Sequence, residues 1–157
     1  MSESSTNPKR LLLLLVFMAA LIALGVLIAR DKMNPMLDQN GDGKPDEWYR
    51  YTLGGDLLSL EKDRNFDGKV DHRESFTGGV IAETMTDMNN DGNYEIRGKY
   101  DEKGRLTRLD RDLNEDGRYD RFTTIDAETE KQLYTEIDQD GDGEPDTRLA
   151  PGADAEK

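Results

Sequence analysis

The sequence repeats one acidic phrase five times at nearly even spacing, D-x-N-x-D-G-x-x-D with small variations. The copies occupy residues 38–46, 63–71, 87–95, 112–120 and 138–146, here called loops 1 to 5, and their starts lie 25, 24, 25 and 26 residues apart. Periods of this length are typical of folds in which each unit packs only on its neighbours. The repeat therefore predicts a domain of five similar units over residues 38–149.

The residue types within each loop indicate a site for a hard divalent cation. Calcium binds six to eight oxygen ligands, and a glycine at position 6 lets a short loop turn sharply around the ion. Magnesium is less suitable, because it demands stricter octahedral geometry. The predicted ligands are the side chains at positions 1, 3, 5 and 9 and the backbone carbonyl at position 7: Asp38, Asn40, Asp42, Lys44 and Asp46; Asp63, Asn65, Asp67, Lys69 and Asp71; Asp87, Asn89, Asp91, Asn93 and Glu95; Asp112, Asn114, Asp116, Arg118 and Asp120; Asp138, Asp140, Asp142, Glu144 and Asp146.

Position 12 separates these loops from a complete EF-hand, which has a bidentate glutamate there. Only loop 2 has one, Glu74, which we predict as an extra ligand; a paired glycine at residues 78–79 leaves no room for a long exiting helix. In the other loops an additional ligand has to come from position 9, from water or from a neighbouring repeat. We therefore expect weak binding of up to five calcium ions, with Kd on the order of 10⁻⁴–10⁻³ M. A single loop of this composition could also be a metal-free turn.

The segments between the loops predict a mainly β fold. Each holds two stretches of five to seven residues, rich in aromatic and β-branched residues and separated by a Gly- or Asp-containing turn. Such stretches have the length of strands and are short for helices. The expected architecture is an antiparallel β-hairpin meander of about nine strands, with the calcium loops along one edge and the turns along the other.

The N-terminal part of the chain predicts a membrane anchor. Residues 11–29 are apolar throughout apart from Gly25, and a run of this length matches a single transmembrane helix. A cleaved signal peptide is the alternative, although its apolar core is usually shorter. Lys9 and Arg10 favour a cytoplasmic location for residues 1–10 and a periplasmic or extracellular location for the repeats. Residues 30–37 are predicted to be a linker and residues 150–157 a disordered tail.

Composition excludes several classes of function. The chain has 34 acidic against 21 basic residues, a net charge of −13, no cysteine and one histidine, His72. The acidic balance argues against nucleic acid as a partner, and the absence of cysteine rules out thiolate metal sites. His72 is the single base suited to neutral pH, and Ser59 and Ser75 lack a G-x-S-x-G context, so we predict that the chain is not an enzyme. Low hydrophobicity with high charge also predicts that metal binding supplies part of the folding free energy.

Two resemblances accompany these patterns. Residues 38–46 and 138–146 resemble the calcium loops of EF-hands, of thrombospondin type 3 repeats and of FG-GAP or VCBS repeats, which implies calcium as the cofactor. Residues 100–106 resemble the turn of a YD repeat, which implies an antiparallel meander. Together these features suggest a membrane-anchored calcium-binding repeat protein with a structural or adhesive role toward a protein or cell-surface partner. The alternative is a calcium sensor or buffer that binds a protein partner when loaded.

Overall fold

The computed structural model describes the backbone of residues 8–152 and the side chains of residues 15–26, 28 and 34–152. Residues 1–7 and 153–157, parts of the predicted cytoplasmic segment and tail, lie outside the described residues. The elements are α1 (Pro8–Met33), β1 (Met36–Leu37), β2 (Glu47–Tyr51), β3 (Leu57–Lys62), β4 (His72–Thr77), β5 (Val80–Thr86), β6 (Ile96–Tyr100), β7 (Leu106–Arg111), β8 (Arg121–Ile125), β9 (Gln132–Ile137) and β10 (Thr147–Leu149).

The ten strands form one antiparallel sheet in which every strand pairs with the next one along the chain. The predicted mainly β fold and meander order are confirmed. The structure has ten strands where nine were expected, because β1 forms within the segment predicted to be a linker and pairs with β2. In this order all five acidic loops fall at the same ends of the strands, which we call the loop edge. The hairpin turns lie at the opposite edge, where the register shifts in β2, β4, β6 and β8.

The helix α1 covers the apolar run that was predicted to span a membrane. Its described side chains, residues 15–26 and 28, are exposed. In the part of the chain that the structure describes, no helix meets the length and hydropathy that a membrane crossing requires. The transmembrane helix predicted over residues 11–29 is therefore not shown.

Cross-strand rows of side chains hold the sheet together. Because successive residues of a strand face opposite sides, directly paired residues share one face of the sheet. One such row contains three opposite-charge pairs at neighbouring positions, Glu61 with Arg73, Arg97 with Asp110, and Glu136 with Arg148. Four arginines of this face also lie over aromatic rings, in the pairs Arg73–Tyr94, Arg97–Tyr119, Arg108–Phe122 and Arg148–Tyr134.

Little of the interior is apolar. Each described strand contacts only its neighbours in the sheet, and α1 contacts only β2. Among the described residues, Leu60 and Phe122 are the buried hydrophobic side chains. Ten polar or charged residues are buried, and seven of them occupy position 1 or 9 of an acidic loop: Asp46, Asp63, Asp71, Asp87, Glu95, Asp112 and Asp138. The most protected part of this sheet is thus its negatively charged loop edge.

Candidate metal centre

All five loops share one hydrogen-bonded framework around position 1. The N–H of the position-6 glycine donates to the position-1 aspartate at 2.7–2.9 Å in every loop. This glycine has φ between +87° and +99°, a conformation that L side chains rarely adopt. The glycine of the repeat is therefore explained by backbone geometry, as the sequence predicted.

Positions 3, 5 and 9 repeat equally closely. The N–H of position 5 donates to the position-3 side chain, and the N–H of position 7 donates to the position-5 carboxylate. The N–H of position 2 donates to the position-9 carboxylate at 2.5–2.9 Å. An ionised carboxylate accepts about four hydrogen bonds. These contacts orient the predicted ligands and leave acceptor capacity for a cation.

The loops are also joined to one another along the edge. The N–H of position 1 in loops 2 to 5 donates to the carbonyl of position 9 in the preceding loop, at 2.8–2.9 Å. The backbone ladder of the sheet thus continues through the bases of the loops. An ion bound in one loop would therefore act on a structure that its neighbours share.

The carboxylates converge most closely in loops 3 and 5. Oxygen atoms of Asp87, Asp91 and Glu95 lie within 4.8 Å of one another, and so do those of Asp138, Asp140 and Asp146. Within the described residues, loops 1, 2 and 4 form no such group. The pKa of Asp91 is lowered, mainly because the backbone N–H of Asn93 donates to its carboxylate. This hydrogen bond favours the ionised form of Asp91, which is the form that binds metal.

Glu95 is the strongest single indication of a cation site. The residue is 6% exposed, and its Oε2 accepts the N–H of Met88. Its Oε1 is buried and has no hydrogen-bond partner. A buried charged oxygen without a partner is costly, and native structures normally satisfy such groups. A divalent cation between Glu95, Asp87 and Asp91 would satisfy it.

In loop 2 the corresponding oxygen, Oδ1 of Asp71 at position 9, has a side-chain partner. Arg64, at position 2, places its Nε 2.7 Å from Oδ1 of Asp71. Glu74, the predicted extra ligand, lies in β4, with its Oε1 3.2 Å from Nε2 of His72 and 3.4 Å from Nζ of Lys62. Both acidic groups already have positively charged or polar partners. Sequence reasoning missed Arg64, although an arginine inside an acidic loop is a visible signal.

Position 4 is a second feature that the sequence analysis missed. Its φ lies between +59° and +77° in all five loops, so the chain turns into the left-handed region twice per loop. Glycine and asparagine fit this conformation, whereas phenylalanine and glutamate adopt it rarely. The residues are Gly41, Phe66, Asn90, Glu115 and Gly141.

Comparison with known proteins gives likeness of fold alone. No family model matches the sequence, and no curated protein matches it. A crystal structure of an S. aureus TarM mutant in complex with fondaparinux, alpha-GlcNAc-glycerol and UDP is similar, with a TM-score of 0.52 and 8% identity over 83% of this chain and 24% of that one. A second TarM structure gives a TM-score of 0.51, also at 8% identity, over 83% of this chain and 23% of the other. The chain thus spans about a quarter of the solved proteins it matches, and the prediction that it is not an enzyme stays a prediction.

Proposed function

We propose that this chain is a calcium-binding β-repeat protein in which loops 3 and 5 are the primary sites and the ions have a structural role. The observation that carries the proposal is the buried, unpartnered Oε1 of Glu95 beside Asp87 and Asp91. All the convergent donors are oxygens, the donor type that calcium prefers. The all-aspartate triad of loop 5 supports the same chemistry.

The distribution of burial supports a structural role for the ions. Seven carboxylates are buried at the loop edge, whereas only two apolar side chains are buried among the described residues. Bringing carboxylates together at low exposure costs free energy unless cations neutralise them. A ligand that binds only the folded state stabilises it by about 2.7 kcal/mol when present at 100 times its Kd. Calcium would therefore stabilise the negatively charged loop edge of the sheet.

The test is a calcium titration of the full chain, purified in detergent and freed of metal with chelator. We expect binding to about two sites first, with the remaining loops filling more weakly, and a rise in the thermal unfolding midpoint that tracks occupancy. Magnesium at the same concentration should produce a smaller rise. Extracellular calcium modules bind calcium with Kd values up to the millimolar range. If calcium at and above such concentrations neither binds nor stabilises the chain, the proposal is contradicted.

We further propose that the chain is tethered to a membrane through residues 11–29, with the repeats outside the cytoplasm, and that it serves an adhesive or interaction role there. The support is the length of the apolar run in the sequence. Washing isolated membranes with chelator and then with alkaline carbonate separates the possible attachments. A chain that remains after both washes supports a tether, and a chain released by carbonate contradicts it. A protein recovered with the chain only in calcium would favour the sensor alternative.

A further inference from the structure

A contact between neighbouring repeats adds a carboxylate to loop 3. Nδ2 of Asn89, the side chain at position 3, donates to Oε2 of Glu115 in loop 4 at 3.3 Å. The same nitrogen lies 3.3 Å from Oδ2 of Asp91. One donor therefore lies between the carboxylates of two loops, which brings an oxygen of Asp91 and an oxygen of Glu115 toward the same point.

Two further contacts fix the position of loop 4 against loop 3. The N–H of Asp112 donates to the carbonyl of Glu95 at 2.9 Å. Oδ1 of Asn93 lies 3.4 Å from the point that a Cβ on Gly117 would occupy, so the two loops are also neighbours at this position. Glu115 thus belongs to a loop that is hydrogen-bonded to loop 3 at its base and lies beside it at Gly117.

Loop 3 also needs a ligand that its own sequence does not provide. Its position 12 is Gly98, which has no side chain. Asp87, Asp91 and Glu95 bring together three carboxylates, and calcium takes six to eight oxygens. Glu115 is the one residue at position 4 of any loop that carries a carboxylate, and it holds φ at +59° in spite of its Cβ.

We propose that loop 3 and Glu115 form one composite calcium site, in which the glutamate of loop 4 supplies the carboxylate that position 12 of loop 3 lacks. Asp87, Asp91 and Glu95 hold the ion from one repeat, and Glu115 closes the site from the next. The inference rests on the proposed calcium binding and assigns a ligand that the repeat pattern does not contain. An ion bound there links the β5–β6 connection to the β7–β8 connection.

The test compares two substitutions of Glu115 in the full chain in detergent. Glu115→Gln removes the charge, whereas Glu115→Asp keeps the charge, tolerates the left-handed backbone and shortens the reach by one methylene. Calcium affinity is read separately for each loop from the amide resonances of Gly92 in loop 3 and Gly143 in loop 5. We expect both variants to weaken the affinity at Gly92 by about 10-fold, the usual effect of removing a partner at a metal site, and to leave Gly143 unchanged.

Glu102→Gln is the control, because it removes an exposed negative charge outside all five loops, and the affinity reported by Gly92 should not change. Wild-type-like affinity of Glu115→Asp beside weakened Glu115→Gln would show a general charge effect and overturn the composite site. Unchanged affinity in both variants would overturn it as well. If the Gly92 amide resonance of the wild type does not shift when calcium is added, the proposed function is overturned together with this inference. The two failures are therefore distinguishable.

Discussion

Loops 2 and 3 share one motif and one backbone framework, but they differ at the buried carboxylate of position 9, which has a side-chain partner in loop 2 and none in loop 3. In loop 2 the position-9 carboxylate, Asp71, is paired with the Arg64 guanidinium at 2.7 Å. In loop 3 the residue at position 2 is Met88, and Oε1 of Glu95 is buried without a partner. Position 2, which lies outside the ligand pattern, therefore decides whether the position-9 carboxylate of these two loops has a side-chain partner.

The largest effect is expected from Glu95→Gln, which removes the unpartnered charge on which the comparison depends. Affinity at loop 3 should fall on the order of 100-fold, because calcium affinity depends strongly on the number of charged ligands. In chelator the variant should unfold no more easily than wild type, since a costly buried anion is gone. Calcium titration with Gly92 as the reporter measures the first effect, and thermal unfolding measures the second.

Glu102→Gln, an exposed change of equal charge at the opposite edge, is the control for Glu95→Gln. If the calcium affinity of loop 3, reported by Gly92, is the same in Glu95→Gln as in the wild type, the unpartnered carboxylate of loop 3 does not distinguish it from loop 2 as a calcium site.

The reverse experiment is Arg64→Gln, which should make loop 2 resemble loop 3. Freed from its partner, Asp71 becomes available, and one additional ion should bind in the first, tighter phase of a calorimetric titration, together with the ions of loops 3 and 5. In chelator the variant should lose about 1–3 kcal/mol of unfolding free energy, because Asp71 is only 4% exposed and its Oδ1 loses its partner.

Lys69→Gln is the matched control, since it removes the same charge from the same loop at an exposed side chain. If both variants gain an ion, the gain reflects net charge and not the release of Asp71.

Much of the fold could be predicted from the sequence, because the spacing of the loops and the Gly- and Asp-containing turns determine where each strand begins and ends. The loops recur every 24 to 26 residues, and the legs between them are too short for helices, so a meander with all loops on one edge follows. The strand β1 was missed because two residues carry no periodic signal, and it is recognised only from its pairing with β2, in which Met36 lies opposite Trp48.

The site was predicted only as far as the ligand pattern reaches. The pattern predicts which positions offer oxygens, whereas the proposed order of the sites depends on side chains that the pattern treats as variable, Arg64 and Glu115 among them. Their effects arise from a specific partner, Asp71 in one case and Asn89 in the other. A single sequence shows that such residues are charged but does not show which carboxylate they face.

The turn between β6 and β7 offers a smaller test of whether an arginine partner lowers the pKa of a carboxylate. Hydrogen bonds from Arg105 lower the pKa of Asp101 from 3.8 to about 2. Because the folded-state pKa is lowered, the contribution of this carboxylate is present above pH 3.8 and is lost as the pH falls through about 2. A carboxyl-carbon NMR titration should give a midpoint of about 2 in the wild type.

Arg105→Gln is the corresponding variant, and it should raise the pKa of Asp101 toward 3.8. A midpoint that does not move would show that the backbone N–H groups of the turn, such as that of Lys103, account for the lowering by themselves.

The smallest effect is expected from Glu74→Gln. In a complete EF-hand the same change would remove the bidentate ligand at position 12 and strongly weaken calcium binding. Glu74 contacts His72 and Lys62 within the sheet, so calcium stoichiometry and affinity should not change, and unfolding free energy should fall by no more than about 0.5 kcal/mol. The decisive form is the double variant with Arg64→Gln, in which loop 2 is expected to bind. If Glu74→Gln weakens calcium binding in that background, position 12 is a ligand after all, and the pairing of Glu74 gives way when Asp71 is released.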